Sequence, residues 1–431
     1  MDTPFFDKIA SLAQRPGRFH VPGHKGAADA IPAFSALLPF DLTEIAGADN
    51  LSCPAAELAQ SEKNMAKVYG AGASLYSAGG STSCVQAMLA LFVGEGEQVV
   101  MGRNCHGSAV RALAFLGAEG EFLLPQAQGG ISPEEADRAL ERTGAKALYV
   151  TSPDYEGRLC DIPALAAVCR RHGAKLLVDG AHGAHLVLFG LHPIDLGADA
   201  VAESAHKTLP ALTPAAVLHL RDKGLAWQGR QALNLFTSTS PAYPVLCSLD
   251  WCAGLLQGAE LADRYHWAAS RMEQARRLAG PMAMQTGDPC KLTLIPPVAG
   301  YSTARAAALL RGEGVEPEMV TETAVVLMAT AFNTEADFTA LERALGRLPA
   351  KEPLPMPCPV YDTPPRGVSL RRAVLGKKEQ LPTADAAGRV AAGIVAPCPP
   401  GIPVILPGEV FTQNIRESLI KSGILTVEVL L

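Results

Sequence analysis

The sequence predicts an α/β protein, with one large domain on a mostly parallel sheet flanked by helices, followed by a smaller α+β domain. Three observations carry this. Short apolar strands alternate with helical stretches between Thr82 and Leu220, the pattern of βαβ units. The chain has 431 residues, 48% hydrophobic and 19% charged, which suits a large core and more than one ordinary domain. From about Asp288 the pattern changes to isolated strands and helices of an α+β type.

The elements follow in order. Residues 1–56 read as irregular, with Pro and Gly around His20-Val-Pro-Gly-His-Lys-Gly26. A helix is expected from Ala56 to Tyr69, stopped by Gly70, and another over Thr82–Val93, ending at Gly94. Gln98–Met101 and Ala147–Thr151 are short strands, and Ser132-Pro-Glu-Glu135 opens a helix with Ser as N-cap and Pro at the first position. Pro163–His172 is a helix closed by Gly173; Lys175–Asp179, Ala198–Glu203 and Ala215–Leu220 are strands. A helix-rich stretch covers Leu249–Leu278. Beyond it come strands at Lys291–Leu294 and Thr323–Ala331, helices at Ser302–Arg311 and Glu335–Leu345, a Pro-rich linker (Pro353 to Pro365) and the segment Ala396–Glu409. The expected division is an N-terminal segment 1–55, a large domain 56–285 and a C-terminal part 286–431.

Composition excludes several classes. The net charge of -6 argues against nucleic-acid and acidic-membrane partners. No apolar run is long enough to span a bilayer, and no basic n-region precedes an apolar stretch at the N-terminus. Ten scattered cysteines without a C-x-x-C pair read as reduced thiols of a cytoplasmic protein, and no metal site is expected.

Four clusters fall at strand ends, where α/β sheets gather ligands. Lys207, in Ser204-Ala-His-Lys207, follows an apolar strand; partial burial beside another cation turns a lysine into an amine nucleophile, although such a lysine alone is more often a loop residue. Asp179 ends the KLLVD strand and suits a protonated ring nitrogen, helix capping being the plainer role. Asp179, His182 and His185 lack a further ligand for a metal. Ser77-Ala-Gly-Gly-Ser-Thr-Ser83 runs into a helix whose N-terminus favours phosphate, or serves as an ordinary cap. His106, in Arg103-Asn-Cys-His106, suits stacking on an aromatic ring or a structural role. A phosphate loop, a stacking His, a ring-nitrogen Asp and an imine-forming Lys, in that order, are what a pyridoxal phosphate enzyme needs.

Taken together, these and further motifs resemble the bacterial ornithine/lysine/arginine decarboxylases, within the fold-type I, aminotransferase-like pyridoxal phosphate enzymes. The resemblance rests on Phe19-His-Val-Pro-Gly-His-Lys25, Asp41-Leu-Thr-Glu-Ile45, Gly80-Ser-Thr82, Arg103-Asn-Cys-His106, Asp179-Gly-Ala-His-Gly-Ala-His185 and Ser204-Ala-His-Lys-Thr-Leu209. It extends through Thr239-Ser-Pro-Ala-Tyr243, Asp288-Pro-Cys-Lys-Leu-Thr293, Pro399-Pro-Gly-Ile-Pro403 and Pro407-Gly-Glu409. It implies a seven-stranded sheet in the large domain. It implies that Gly80, Ser81 and Thr82 hold the cofactor phosphate with help from Ser204 and His206, that His106 stacks on the pyridine ring, that Asp179 binds its nitrogen with Ala181 beneath, and that Lys207 carries the cofactor. Lys207 or His206 would return the proton to Cα.

The implied reaction is decarboxylation of lysine, arginine or ornithine to a diamine or agmatine, as in polyamine biosynthesis. Glu409, Asp41 and Glu44 are candidates for the distal cation of this small basic amino acid. The family's active sites lie at a dimer interface, which the Thr239–Tyr243 stretch would serve. The chain starts close to His20-Val-Pro-Gly-His24, without the N-terminal wing of the larger members, so a homodimer or dimer of dimers is expected. The sequence departs from the family pattern at Ser77-Ala-Gly-Gly in the phosphate loop and at Asp154, Pro214 and Cys398, and the last three bear on substrate choice. The alternatives are another reaction on the same cofactor, such as transamination, aldol cleavage or β-elimination, with Arg366, Arg371 and Arg372 as possible carboxylate grips, and a non-catalytic pyridoxal phosphate-binding regulator.

Overall fold

The computed structural model describes residues 1–126, 129–355, 363–396 and 403–431. Seven strands alternate with helices through the first half of the chain: β1 (Ala73–Ser77), β2 (Gln98–Gly102), β3 (Glu119–Leu123), β4 (Ala147–Thr151), β5 (Lys175–Asp179), β6 (Ala200–Glu203) and β7 (Ala216–Leu220). The chain divides into two compact units, 1–92 with 162–167 and 175–263, and 93–161 with 168–174 and 264–431.

In the first unit the strands run in the order β1-β7-β6-β5. β5 and β6 are parallel, and β7 is antiparallel to both β6 and β1. β1, β5 and β6 therefore end on the same edge, where Ser77, Asp179 and Glu203 are their last residues. All three strands are buried on both faces except at Lys175, as expected of strands covered by helices. The helix Gly80–Phe92 follows β1 directly, and its buried face packs on β6 and β7.

The first 56 residues are not wholly irregular. Pro4–Ala13 is a helix with Phe5, Ile9 and Leu12 buried, an i, i+4, i+7 stripe of the kind that makes a core-facing helix. It packs on the helices Glu57–Val68 and Tyr243–Leu256. The expected strands also miss β1, whose Ala-Ser-Leu-Tyr-Ser has neither alternation nor a continuous apolar run.

In the second unit β4-β2-β3 are parallel neighbours. Further along, β8 (Lys291–Leu294), β9 (Met319–Val320) and β10 (Val325–Met328) form an antiparallel sheet in the order β8-β10-β9. Its core joins Leu292, Leu294, Val325 and Leu327 to Phe338, Leu341 and Leu345 of the helix Glu335–Gly346. A smaller core around Phe411, Ile415, Leu419, Val427 and Val429 lies under the antiparallel pair β11 (Lys378–Pro382) and β12 (Thr426–Leu430).

Candidate active site

Lys207 stands on the short helix Ala205–Thr208, which β6 enters through Ser204. Its amide donates to the Ser204 carbonyl at 3.1 Å. Its Nζ lies 3.1 Å from Nε2 of His182, a buried residue three positions beyond the end of β5. A neutral imidazole there accepts an ammonium hydrogen or donates to a free amine, so the pair is a ready proton partner for the lysine. The sequence offered His206 for help with the phosphate and for the return of a proton to Cα, and not His182. The Nδ1–H of His206 donates to the Ala215 carbonyl at 2.9 Å, and His182 is the imidazole at the amine. Only its spacing from Asp179 hinted at this.

Asp179 is 3% exposed at the end of β5 and accepts the Ala181 amide at 3.2 Å, so the carboxylate and the residue expected beneath a ring are tied together. On the same edge, Ser77 and Ser83 share a hydrogen bond of 2.7 Å, and Ser83 also donates to the Gly80 carbonyl. Gly80 has φ +72°, a left-handed turn that any side chain strains. Its amide donates to the Pro214 carbonyl at 2.9 Å. The amides of Ser81 and Thr82 follow in the first helical turn, which has no intrahelical acceptors to offer them. Thr82 is exposed, and the Ser204 hydroxyl donates to Ser81 Oγ at 2.7 Å. The predicted loop and the predicted lysine segment thus meet through two hydroxyls at a helix N-terminus, the setting that binds a phosphate. Pro214, one of the departures, serves this loop through its carbonyl.

Asp41 pairs with His24 of the His20-Val-Pro-Gly-His24 motif at 3.1 Å. Glu44 has a buried Oε1 without a hydrogen-bond partner among the described residues. Tyr243, at the end of the Thr239–Tyr243 stretch, is buried in its own chain, where its hydroxyl donates to the Asp49 carbonyl at 2.7 Å. Burial and the neighbouring Glu44 and Asp49 raise its pKa. Ser238, Thr239 and Ser240 before it are exposed.

The second unit holds the remaining predicted residues. His106 is the exposed N-cap of the helix Gly107–Leu116, its Nδ1 accepting from the Ser108 amide. Glu409 is corrected. It is 3% exposed, its two oxygens lie 2.6 and 2.7 Å from the Arg103 guanidinium, and Oε2 accepts the Leu406 amide as well. A carboxylate so engaged with a buried arginine is not available to a substrate cation. Asp154 is likewise committed, binding Arg158 at 2.8 Å in a turn whose carbonyls accept the fully buried Lys291 ammonium at 3.0 and 3.3 Å. Cys398 and most of Pro399–Pro403 lie outside the described residues.

The model of the Orn/Lys/Arg decarboxylase major domain matches residues 3–280, and that of the family's C-terminal domain matches 359–420. The uncharacterized protein YaaO of Bacillus subtilis is 30% identical over 97% of this chain and 94% of its own length. An arginine decarboxylase of Halalkalibacterium halodurans is 29% identical, with 96% of this chain and 91% of that protein covered. The crystal structure of the Francisella novicida lysine decarboxylase LdcF superposes with a TM-score of 0.82 at 18% identity, over 99% of this chain and 81% of that one, which shows a shared fold. With its lysine, aspartate and serine loop on one sheet edge and both family domains matched in order, the chain belongs to the Orn/Lys/Arg decarboxylase family.

Proposed function

We propose that the chain decarboxylates a basic L-amino acid with pyridoxal phosphate carried on Lys207, releasing carbon dioxide and the corresponding amine. The observation that carries this reading is the Lys207 amine 3.1 Å from the His182 imidazole, on the sheet edge that also ends in Asp179 and the Ser77–Ser83 loop. The donor set of the first unit fits the group: Ser81, Thr82 and Ser204 for the phosphate, Asp179 for the ring nitrogen and Lys207 for the carbonyl carbon; the family resemblance adds His106 for the ring face. Bound pyridoxal phosphate supplies an electron-poor ring that accepts the electron pair left when the Cα–carboxylate bond breaks. The residues orient and move protons. Asp179 keeps the ring nitrogen protonated. His182 holds or gives a proton at Lys207 Nζ, and Lys207 returns one to Cα. Glu44, whose buried oxygen has no hydrogen-bond partner among the described residues, takes the distal cation. Asp41 supports the same segment while paired with His24.

Arginine is the substrate to test first, because curated relatives matching over more than nine-tenths of both chains carry that name. The working form is a homodimer or dimer of dimers in the cytoplasm, with the exposed Ser238–Ser240 run turned to the neighbouring subunit. The test is release of carbon dioxide and amine from arginine, lysine and ornithine. Keto acid without carbon dioxide would refute the reading in favour of transamination. Bound cofactor without turnover of any amino acid would favour a regulator. Lys207→Ala should abolish the visible absorbance of the bound cofactor.

A further inference from the structure

Glu203 is the last residue of β6, one position before Ser204, and it is 1% exposed. Its two oxygens face two buried histidines: Oε1 is 2.8 Å from His192 Nε2, and Oε2 is 3.2 Å from His219 Nε2. No lysine or arginine pairs with it among the described residues. The tautomers follow from the outer bonds. The Ile194 amide donates to His192 Nδ1 at 3.3 Å, so the proton of that ring sits on Nε2 and is donated to Glu203. A carboxylate only accepts, so His219 also donates from Nε2, and its Nδ1 accepts from the Ser74 hydroxyl at 2.8 Å. Tyr69 stacks on His219 at 4.2 Å and meets His192 edge-on at 4.8 Å.

Every polar atom of the three side chains is thus satisfied with both imidazoles neutral, and the network holds one buried negative charge. Burial opposes that charge, but His192 and His219 outweigh it and hold the Glu203 carboxyl at about 2. The His219 pKa is lowered, chiefly by burial. Burial, reinforced by Glu203, pushes the thiol of Cys84, in the helix Gly80–Phe92, up to about 12 and keeps it neutral. Two histidines and a glutamate are also a metal-ligand set. The Ile194 amide decides against a metal, because it makes His192 Nε2 a donor.

The charge is aimed at the floor of the site. β6 pairs with β5 in the register Asp179↔Ala202, and the Gly180 amide donates to the Ala202 carbonyl at 2.9 Å. A Cβ on Gly180 would stand 3.6 Å from both Glu203 Cγ and Oε1. The carboxylate therefore backs onto Gly180, the residue between Asp179 and Ala181. We propose that Glu203, clamped by His192 and His219, is a positioning residue that sets a fixed negative charge behind Asp179 and so favours the protonated state of a pyridine nitrogen docked there. This rests on the assignment of Asp179 and Lys207 to pyridoxal phosphate.

The test is a pH titration of the protein loaded with pyridoxal phosphate carrying nitrogen-15 in its ring, read by NMR as the midpoint of the ring-nitrogen chemical shift. Glu203→Gln removes the charge and keeps the bonds: the amide oxygen accepts from His192 and its NH₂ donates to His219, whose proton moves to Nδ1 and onto Ser74. The midpoint should fall by about one pH unit, the scale of a nearby lost charge. Ser74→Ala keeps the charge and should leave it in place. An unmoved midpoint in Glu203→Gln, or an equal shift in Ser74→Ala, overturns the proposal. If Glu203→Gln does not fold, Glu203→Asp, which draws the charge back from Gly180, must shift the midpoint in the same direction by less; no shift there also overturns it. Failure of the underlying assignment looks different: the wild-type visible band would survive Lys207→Ala.

Discussion

Removing the Glu409 carboxylate strands one of the most deeply buried charges of the chain. Arg103 and Glu409 have side-chain exposures of 2% and 4%. The carboxylate takes two guanidinium hydrogens and the Leu406 amide, and without it Arg103 keeps, among the described residues, only the Val404 carbonyl at 3.0 Å. Breaking a buried pair from one side costs about 3–5 kcal/mol, because the remaining charge is neither solvated nor paired. Glu409→Ala should therefore lose about 4 kcal/mol in urea unfolding. The double variant Arg103→Met with Glu409→Leu, which removes both charges, should recover most of that. The loss has a functional side, since Arg103 opens the loop that ends at His106. A stability change below about 1 kcal/mol, or a raised KM for the basic substrate in a fully stable Glu409→Gln, would refute this reasoning and return Glu409 to the substrate role.

Three further outcomes follow from the first unit. His182→Gln should lower kcat with little change in KM, because the imidazole is placed to serve the Lys207 proton rather than to bind substrate; steady-state kinetics check it, and a pure KM effect would contradict it. The Glu203 carboxyl titrates near 2 when folded against 4.5 as its ordinary value, so its stabilisation is present above about pH 4.5 and is lost as pH falls through 2. Acid unfolding of Glu203→Gln should show a shallower pH dependence by about 3 kcal/mol over that window, and an identical slope would count against an ionised Glu203. Gly180→Ala brings a Cβ to 3.0 Å from Val201 Cγ1 and should cost about 1–3 kcal/mol in thermal unfolding, as overpacking between two buried strands does; an unchanged melting temperature would show that the segment yields.

The residues legible in the sequence share one property: each announces itself within a few neighbours. Lys175–Asp179 and Ala147–Thr151 are strands because apolar runs of that length have few alternatives, and Asp179 stands where the run stops. Ser77–Ser83 and Ser204–Lys207 are short polar clusters at such stops, so their order along the chain already implied a cofactor site and the family. Tertiary structure decided the rest, because those choices depend on partners distant in the chain. Glu409 looked like any acidic residue between Gly and Val until its side chain met Arg103, 306 positions earlier. His182 and His206 are indistinguishable as imidazoles near a lysine; a hydrogen bond to the Ala215 carbonyl engages one, and packing delivers the other to Nζ. Glu203, His192 and His219 carry no spacing signal at all, since a turn, a strand end and a strand interior converge only through the β6–β7 pairing. Local sequence set which chemistry is present on the sheet edge, and long-range burial set which charges are spent on holding it there.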